Sequence, residues 1–162
     1  MITYRKAEEK DRGDFLKLEK AFCEFYDKKG FDQQLKPLSF NEIPESFFIK
    51  SFEGLMSTKE SLFLLAENED KIIGYIFIEI NDVFDKDIHT VKKVGHIDSI
   101  FVDEEYRGQG IGGEFIKRSI EWIKSKGVNL CTLGVVIEND TAINLYKNFG
   151  FKISRVSMFK EI

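Results

Sequence analysis

The first third of the chain carries apolar residues at helical spacing. Phe15, Leu18, Phe22 and Phe25 follow one another at intervals of three, four and three residues, so they share one face of a helix over residues 11–25. A short alternating segment before this helix predicts a first strand. A polar loop follows the helix, and a proline suited to a first helical turn then predicts the start of a second helix.

The middle of the chain changes to short apolar runs separated by polar turns. The runs at 61–67, 72–80 and 95–102 predict three strands, of which the first two form a hairpin around a polar turn. A charged, irregular connection separates the second of these strands from the third. The order up to this point is one strand, two helices and an antiparallel meander.

The last third alternates helices and strands. A helix over 110–126 is followed by a β-rich segment at 129–137, a short helix with N-cap residues around Asn139, and a final strand over 152–160. Helix-containing connections between late strands imply parallel pairing. The predicted fold is therefore α/β with a mixed (α+β) sheet, in a single domain over residues 1–162.

Composition and charge exclude several classes of protein. With 162 residues, 43% hydrophobic and 32% charged, the chain has a globular composition and room for one domain. Its net charge of −4 argues against a nucleic-acid partner, because phosphate binding needs clustered Lys and Arg. Charged residues follow the N-terminus at once, and the longest apolar run, Ile72–Ile80, is far shorter than the roughly 20 residues of a membrane span. We therefore expect a cytoplasmic protein with no membrane partner.

The cysteines and histidines do not form a metal-binding pattern. Cys23 and Cys131 lack CxxC spacing and are interpreted as reduced, buried thiols. His89 and His96 have no partners at ligand spacing, so we expect no metal site.

A glycine-rich segment joins the strand at 95–102 to the helix that follows. It reads Arg107-Gly-Gln-Gly-Ile-Gly-Gly and places four glycines within six positions. Backbone N–H groups without neighbouring Cβ atoms can approach a phosphate at a helix start, and Arg107 would add a positive charge. The segment lacks the Gly-Lys-Ser/Thr of a Walker A loop. Its literal GxGxxG match lies too far beyond the strand for a dinucleotide fingerprint. A glycine-rich turn without a ligand is the alternative.

A second motif lies downstream of the glycine-rich segment. Asn139, Ala142 and Leu145-Tyr146 are followed by Gly150-Phe151, with one helix and one strand between the two motifs. Together with Arg107-Gly-Gln-Gly-Ile-Gly in this order, the chain resembles the GNAT superfamily of N-acetyltransferases over essentially its whole length.

The resemblance implies that acetyl-CoA is the cosubstrate. The family's glycine-rich loop cradles the pyrophosphate of this molecule, and the backbone of its fourth strand pairs with the pantetheine arm. Asn139 matches a position that commonly contacts the same arm. The implied acetyl-CoA-binding residues are Ile100, Phe101, Val102, Arg107, Gly108, Gln109, Gly110, Ile111, Gly112 and Asn139.

The resemblance also implies two catalytic residues. Tyr146 matches the tyrosine that can protonate the departing thiolate, although on residue spacing alone it would be one more core aromatic. Asp98 matches an acid that binds or deprotonates the amine in some members, directly or through water, and a period of two puts it on one strand face with Ile100 and Val102. Binding of loop backbone is the alternative for Asp98, and His96 is a lesser candidate for the base.

The implied reaction is acetyl transfer to a primary amine, and we expect a small cationic amine. A non-catalytic acyl-CoA-binding module is the alternative, and homodimerisation, common in the family, is left open. Acids interleaved with aromatic residues suit a cation in the predicted acceptor walls, although an ordinary solvated surface would look the same. These residues are Glu24, Asp27, Asp32, Glu79, Asp82, Asp85 and Asp87, with Phe25, Tyr26, Phe31 and Phe84.

Overall fold

A five-stranded sheet organises the protein. The computed structural model describes residues 1–31, 42–83 and 90–160. The strands are β1 (Ile2–Lys6), β2 (Ser61–Asn68), β3 (Lys71–Asp82), β4 (Lys93–Val102) and β5 (Cys131–Leu133), and they lie in sequence order across the sheet. The α-helices of the described part are α1 (Arg12–Lys29), α2 (Glu45–Ser57), α3 (Ile111–Ser125) and α4 (Asp140–Asn148).

The mixed sheet expected from the sequence is confirmed. Strands β1 to β4 pair antiparallel, and β4 pairs parallel with β5. The connection between the parallel strands contains α3, as parallel pairing requires. The described residues contain this one βαβ unit, where the sequence suggested more than one.

The sheet buries apolar side chains on both faces. On one face Phe15 of α1 and Phe52 of α2 pack with Tyr75 of β3, and on the other face Phe115 of α3 packs with Ile76 of β3. Burial on both faces explains why β3 reads as a continuous apolar run rather than an alternating one.

Helix α1 extends beyond the predicted boundary. It continues through Tyr26 to Lys29, where the sequence predicted a loop, and ends at Gly30 with φ of 67°. The ring of Tyr26 lies 5.2 Å from that of Phe31 and 4.6 Å from that of Phe22. This aromatic packing continues the apolar face for one more turn, which explains the extension.

Strand β5 is much shorter than the predicted 129–137. It pairs with β4 only from Gly95↔Cys131 to Ile97↔Leu133. In the described residues β4 has no strand partner on this side beyond Ile97, so the sheet splays open there.

The predicted C-terminal strand over 152–160 is wrong. This segment has no strand hydrogen bonding, and Ile153 and Met158 are 64% and 94% exposed. A strand needs a neighbouring backbone to pair with, and the three residues of β5 offer too short an edge. The chain therefore leaves the core after Phe151, whose ring stays against Tyr146.

No helix in the described ranges is long and apolar enough to cross a membrane.

Candidate active site

A cleft of about 860 Å³ opens where β4 and β5 separate. Its walls come from β4, the start of α3, the start of α4 and the C-terminal half of α1. It brings together all of the predicted site residues except Gln109, whose side chain is exposed. Residues that are far apart in the sequence therefore line the same cleft. Asp98 and Tyr146, for example, are more than 40 positions apart.

The glycine-rich loop presents backbone at the start of α3. Gly108 and Gly110 have φ of 77° and 81°, a region in which side chains are strained. The helical ladder begins with the Glu114 N–H donating to the Gly110 carbonyl at 3.0 Å, so the N–H groups of residues 111–113 precede the ladder. A Cβ added at Gly112 would lie 3.2 Å from Leu145 Cδ2, so a side chain here would require Leu145 to shift by a few tenths of an ångström. N–H donors that precede the hydrogen-bond ladder at a helix N-terminus fit a phosphate group.

Arg107 links this loop to α1. Its Nε donates to the Val102 carbonyl at 2.9 Å, and its guanidinium lies 4.2 Å from the centroid of the Phe25 ring. The contact between cation and ring fixes the guanidinium in the wall of the cleft. Arg107 thus places a positive charge in the cleft wall beside the glycine-rich loop, and the same side chain also contacts α1.

Tyr146 enters the cleft from α4. Its side chain is 7% exposed, and burial, with a smaller contribution from Tyr26, raises its pKa to about 12. A hydroxyl with this pKa remains protonated near neutral pH, which suits a proton donor. Asn139 begins α4, because its Oδ1 accepts the Ala142 N–H at 3.2 Å. This capping role of Asn139 is structural and orients the helix that carries Tyr146.

Asp98 occupies a β-bulge in β4. Phe77 of β3 pairs with Ser99 and Ile78 pairs with Ile97, so Asp98 is the extra residue between two ladder positions. Ile97 and Ile100 consequently share the face that packs on α3, and the prediction that Asp98 shares a face with Ile100 and Val102 is wrong. The period of two fails because the bulge interrupts it.

The bulge places Asp98 on the α1 side of the sheet. Glu19 and Tyr75 lie on this side, and the sequence analysis did not identify them as candidate site residues. The Tyr75 hydroxyl donates a hydrogen bond to Glu19 Oε1. Burial raises the pKa of both side chains, and the charge of Asp98 makes a smaller contribution in the same direction. A signal for Glu19 was available, because it lies four residues after Phe15 and three before Phe22, on the apolar stripe of α1.

His96 and Glu24, two further candidates from the sequence, do not line the cleft. His96 Nδ1 lies 3.0 Å from Thr132 Oγ1, a contact between paired strands. Glu24 forms an ion pair with Lys28 at 3.0 Å, so part of the expected acceptor-wall charge is neutralised. Four of the expected wall residues and one histidine lie outside the described residues: Asp32, Phe84, Asp85, Asp87 and His89.

The cysteines are partly buried and free. Burial raises the pKa of both thiols to about 11, for Cys23 with a smaller contribution from Glu19, so neither is an activated nucleophile. Among the described residues there is no group of three or more His, Cys, Asp or Glu side chains that could hold a metal ion.

Known proteins resemble this chain in sequence. The model of the "Acetyltransferase (GNAT) family" matches residues 17–151. An uncharacterised N-acetyltransferase of Methanocaldococcus jannaschii is 30% identical over 154 residues, 95% of this chain and 62% of that protein. An N-alpha-acetyltransferase of Sulfurisphaera tokodaii is 35% identical over 70% of each chain. A mouse thialysine N-epsilon-acetyltransferase is 31% identical over 90% of this chain and 81% of its own. The chain thus spans less than two thirds of the archaeal relative from Methanocaldococcus.

Solved structures share the fold. A Clostridium acetobutylicum protein described as a predicted acetyltransferase with acetyl-CoA has a TM-score of 0.76 at 19% identity, covering 99% of this chain and 96% of that one. A Pyrococcus furiosus protein described as an acetyl transferase has a TM-score of 0.76 at 28% identity, with both chains fully covered.

Proposed function

The chain belongs to the acetyltransferase (GNAT) family, and on this basis we propose that it transfers the acetyl group of acetyl-CoA to the primary amine of a small cationic acceptor. The family, the mixed α/β fold and acetyl-CoA as cosubstrate, each predicted from the sequence, are confirmed at the level of the family. The acceptor, the site residues and a single acetyltransferase domain over residues 1–162 are our proposal.

The cofactor end of the cleft suits acetyl-CoA. The N–H groups at the start of α3, with Arg107 beside them, would hold its phosphates, and the β4 edge from Ile100 to Val102 would pair with its pantetheine arm. The positive φ angles of Gly108 and Gly110 support this fit, since they let the loop present backbone N–H groups without neighbouring Cβ atoms. When bound, acetyl-CoA supplies an activated acetyl thioester.

Two side chains would move protons at the other end. An alkylammonium has a pKa of about 10.4, so it must lose a proton before its nitrogen can attack. The Asp98 carboxylate would accept that proton, directly or through water. The Tyr146 hydroxyl, protonated because burial raises its pKa to about 12, would donate a proton to the sulfur.

The observation that carries the proposal is the meeting of these two groups in one cleft. Asp98 comes from the bulge of β4 and Tyr146 from α4, and both line the same space as the glycine-rich loop. A proton acceptor and a proton donor on different walls suit one reaction that removes protons from nitrogen and delivers one to sulfur.

A peptide N-terminus is the second candidate acceptor. The Sulfurisphaera relative is named an N-alpha-acetyltransferase, whereas the mouse relative is named for thialysine, a small amino acid. The Asp98 carboxylate and the aromatic rings of Phe25 and Tyr26 in the cleft wall favour the small cation.

An acceptor panel tests the proposal. The protein is incubated with acetyl-CoA and either small diamines, lysine analogues, neutral-side-chain amino acids or short peptides with free N-termini, and CoA thiol release is measured with product mass. We expect the highest kcat/KM for a small cationic amine. Preferential turnover of peptides would show that a peptide N-terminus is the acceptor instead of a small amine. Acetyl-CoA binding without turnover of any amine would indicate a non-catalytic module.

A further inference from the structure

Titratable side chains from three elements meet beside the cleft, and the proposed chemistry uses only one of them. Glu19 and Cys23 lie one turn apart on α1, Tyr75 lies on β3 and Asp98 lies in the β4 bulge. The Tyr75 hydroxyl donates to Glu19 Oε1, and the charge of Asp98 acts on both Glu19 and Tyr75. Glu19 and Asp98 are therefore neighbouring carboxyl groups on the α1 side of the bulge.

Packing alone does not explain a glutamate at position 19. Its neighbours on the α1 stripe, Phe15 and Phe22, belong to the apolar cluster on this face, and burial raises the pKa of Glu19 because it disfavours the charged form. Among the described residues, no Lys or Arg forms an ion pair with Glu19 or Asp98. The Tyr75 hydroxyl, whose side chain is 0% exposed, is the partner that fixes the Glu19 carboxyl.

The cleft lining carries charges of both signs. Arg107 and the N–H groups of the α3 start add positive charge at the proposed phosphate end, while Asp98 lines the opposite end and Glu19 lies beside Asp98, outside the cleft lining. An anionic cosubstrate and a cationic acceptor would thus each meet the opposite charge. A protonated amine arriving beside Asp98 would also supply the positive partner that the two carboxyl groups lack.

We propose that Glu19 is a positioning residue for the acceptor: held by the Tyr75 hydroxyl behind Asp98, its carboxylate adds the second negative charge that holds an aliphatic ammonium at this end of the cleft. The inference rests on the proposed amine acetylation. It assigns the acceptor preference to the neighbouring carboxyl groups of Glu19 and Asp98 rather than to Glu24 and Asp27 near the end of α1.

If the charge of Glu19 helps to bind the amine, the KM for the amine should depend on pH. Glu19 is ionised above its pKa, and burial and Asp98 both raise that pKa. As the pH falls through the raised value, Glu19 becomes neutral while an alkylammonium with a pKa of about 10.4 stays cationic. The KM for the amine should therefore rise on acidification. The titratable groups that face Glu19 in the described residues are Cys23, Tyr75 and Asp98.

The test compares Glu19→Gln with the parent protein. The glutamine side-chain oxygen can still accept from Tyr75, so packing is retained while the charge is removed. We expect KM for the best cationic amine to rise about tenfold, which corresponds to about 1.4 kcal/mol, with kcat little changed. The rise of KM on acidification should shrink in the variant.

Tyr75→Phe supplies an independent readout. The hydrogen bond from Tyr75 lowers the pKa of Glu19, so its removal should move the acid-side rise of KM to higher pH. Asp14→Asn is the matched control, since Asp14 is an acid on the same helix that pairs with Lys17 at 2.7 Å, away from the cleft. Its KM and pH profile should equal those of the parent.

A binding measurement separates this inference from the acetylation itself. Calorimetry with CoA-loaded protein compares butylamine with butan-1-ol, which differ in charge at neutral pH. Glu19→Gln should weaken butylamine binding about tenfold and leave butan-1-ol unchanged. If the parent acetylates no amine, the proposed function fails and the butylamine result still decides the role of Glu19. The inference is overturned by equal KM and pH profiles in parent and variant, by equal effects on both ligands, or by a parent that does not bind butylamine.

Discussion

The two ends of the cleft differ in the groups that would contact a ligand, which are backbone groups at one end and side chains at the other. The proposed cofactor end consists mainly of backbone, from the N–H groups at the start of α3 and the edge of β4 beyond Ile97, which has no strand partner among the described residues. The proposed acceptor end consists of side chains from distant elements, with Tyr146 on α4 and Asp98 in the β4 bulge lining the cleft and Glu19 of α1 beside Asp98. Backbone recognition depends on glycines at fixed spacing, whereas side-chain recognition depends on which elements pack together. Changes at one end should therefore leave binding at the other end intact.

The largest expected effect comes from Tyr146→Phe. Loss of the hydroxyl removes a proton donor, so kcat should fall about 100-fold while the Kd for acetyl-CoA stays unchanged. Because the pKa of Tyr146 is raised to about 12, its hydroxyl stays protonated in the parent throughout the neutral range. Steady-state kinetics with calorimetry of acetyl-CoA make the measurement.

Tyr4→Phe is the control for this change, since Tyr4 packs on Phe115 away from the cleft. It should leave kcat unaltered. Unchanged turnover in Tyr146→Phe would remove Tyr146 from the proposed reaction.

Gly110→Ala should produce the next largest effect, and at the cofactor end. Gly110 has φ of 81°, so a side chain there strains the backbone by about 1–2 kcal/mol and distorts the N–H groups that follow. We expect the Kd for acetyl-CoA to rise about tenfold. Acceptor KM at saturating acetyl-CoA should remain that of the parent.

Gly13→Ala is the matched control for Gly110→Ala. Gly13 lies in α1, and a Cβ added there would meet no atom within 4 Å, so alanine should raise stability by up to about 1 kcal/mol. Equal acetyl-CoA affinity in Gly110→Ala and the parent would contradict the backbone cradle.

Arg107→Gln should give the smallest effect of the three. It removes a guanidinium that binds the Val102 carbonyl and lies on the Phe25 ring, contacts worth about 0.5–2 kcal/mol. The Kd for acetyl-CoA should rise several-fold, measured by calorimetry at low and high salt, with the difference shrinking at high salt. An effect confined to acceptor KM would place Arg107 at the other end of the cleft.

The proposed cofactor end was the easier part to predict, because its residues are contiguous. The glycine-rich segment from Arg107 to Gly112 leads directly into the start of α3 and suggests a phosphate site, and that assignment stays a prediction. The helices and the antiparallel meander were also predictable, because each carries its own apolar period.

The acceptor end was predicted only in part because it depends on tertiary pairing. Asp98 was named, but its face was wrong, since a bulge opposite Phe77 and Ile78 cannot be seen in a pattern of alternation. Glu19 was missed because its significance lies in its contact with Tyr75, more than 50 residues away. The C-terminal strand failed for the same reason, since a strand also needs a partner, and β5 is three residues long.

The separation of the two ends is tested most directly by Asp98→Asn. Acetyl-CoA affinity by calorimetry and kcat/KM for the best amine are measured on the same preparation. The account predicts an unchanged Kd for acetyl-CoA and a kcat/KM lowered about 100-fold, because the amine loses both its charge partner and its proton acceptor. An unchanged kcat/KM, or a Kd for acetyl-CoA weakened to the same extent as kcat/KM, would contradict it.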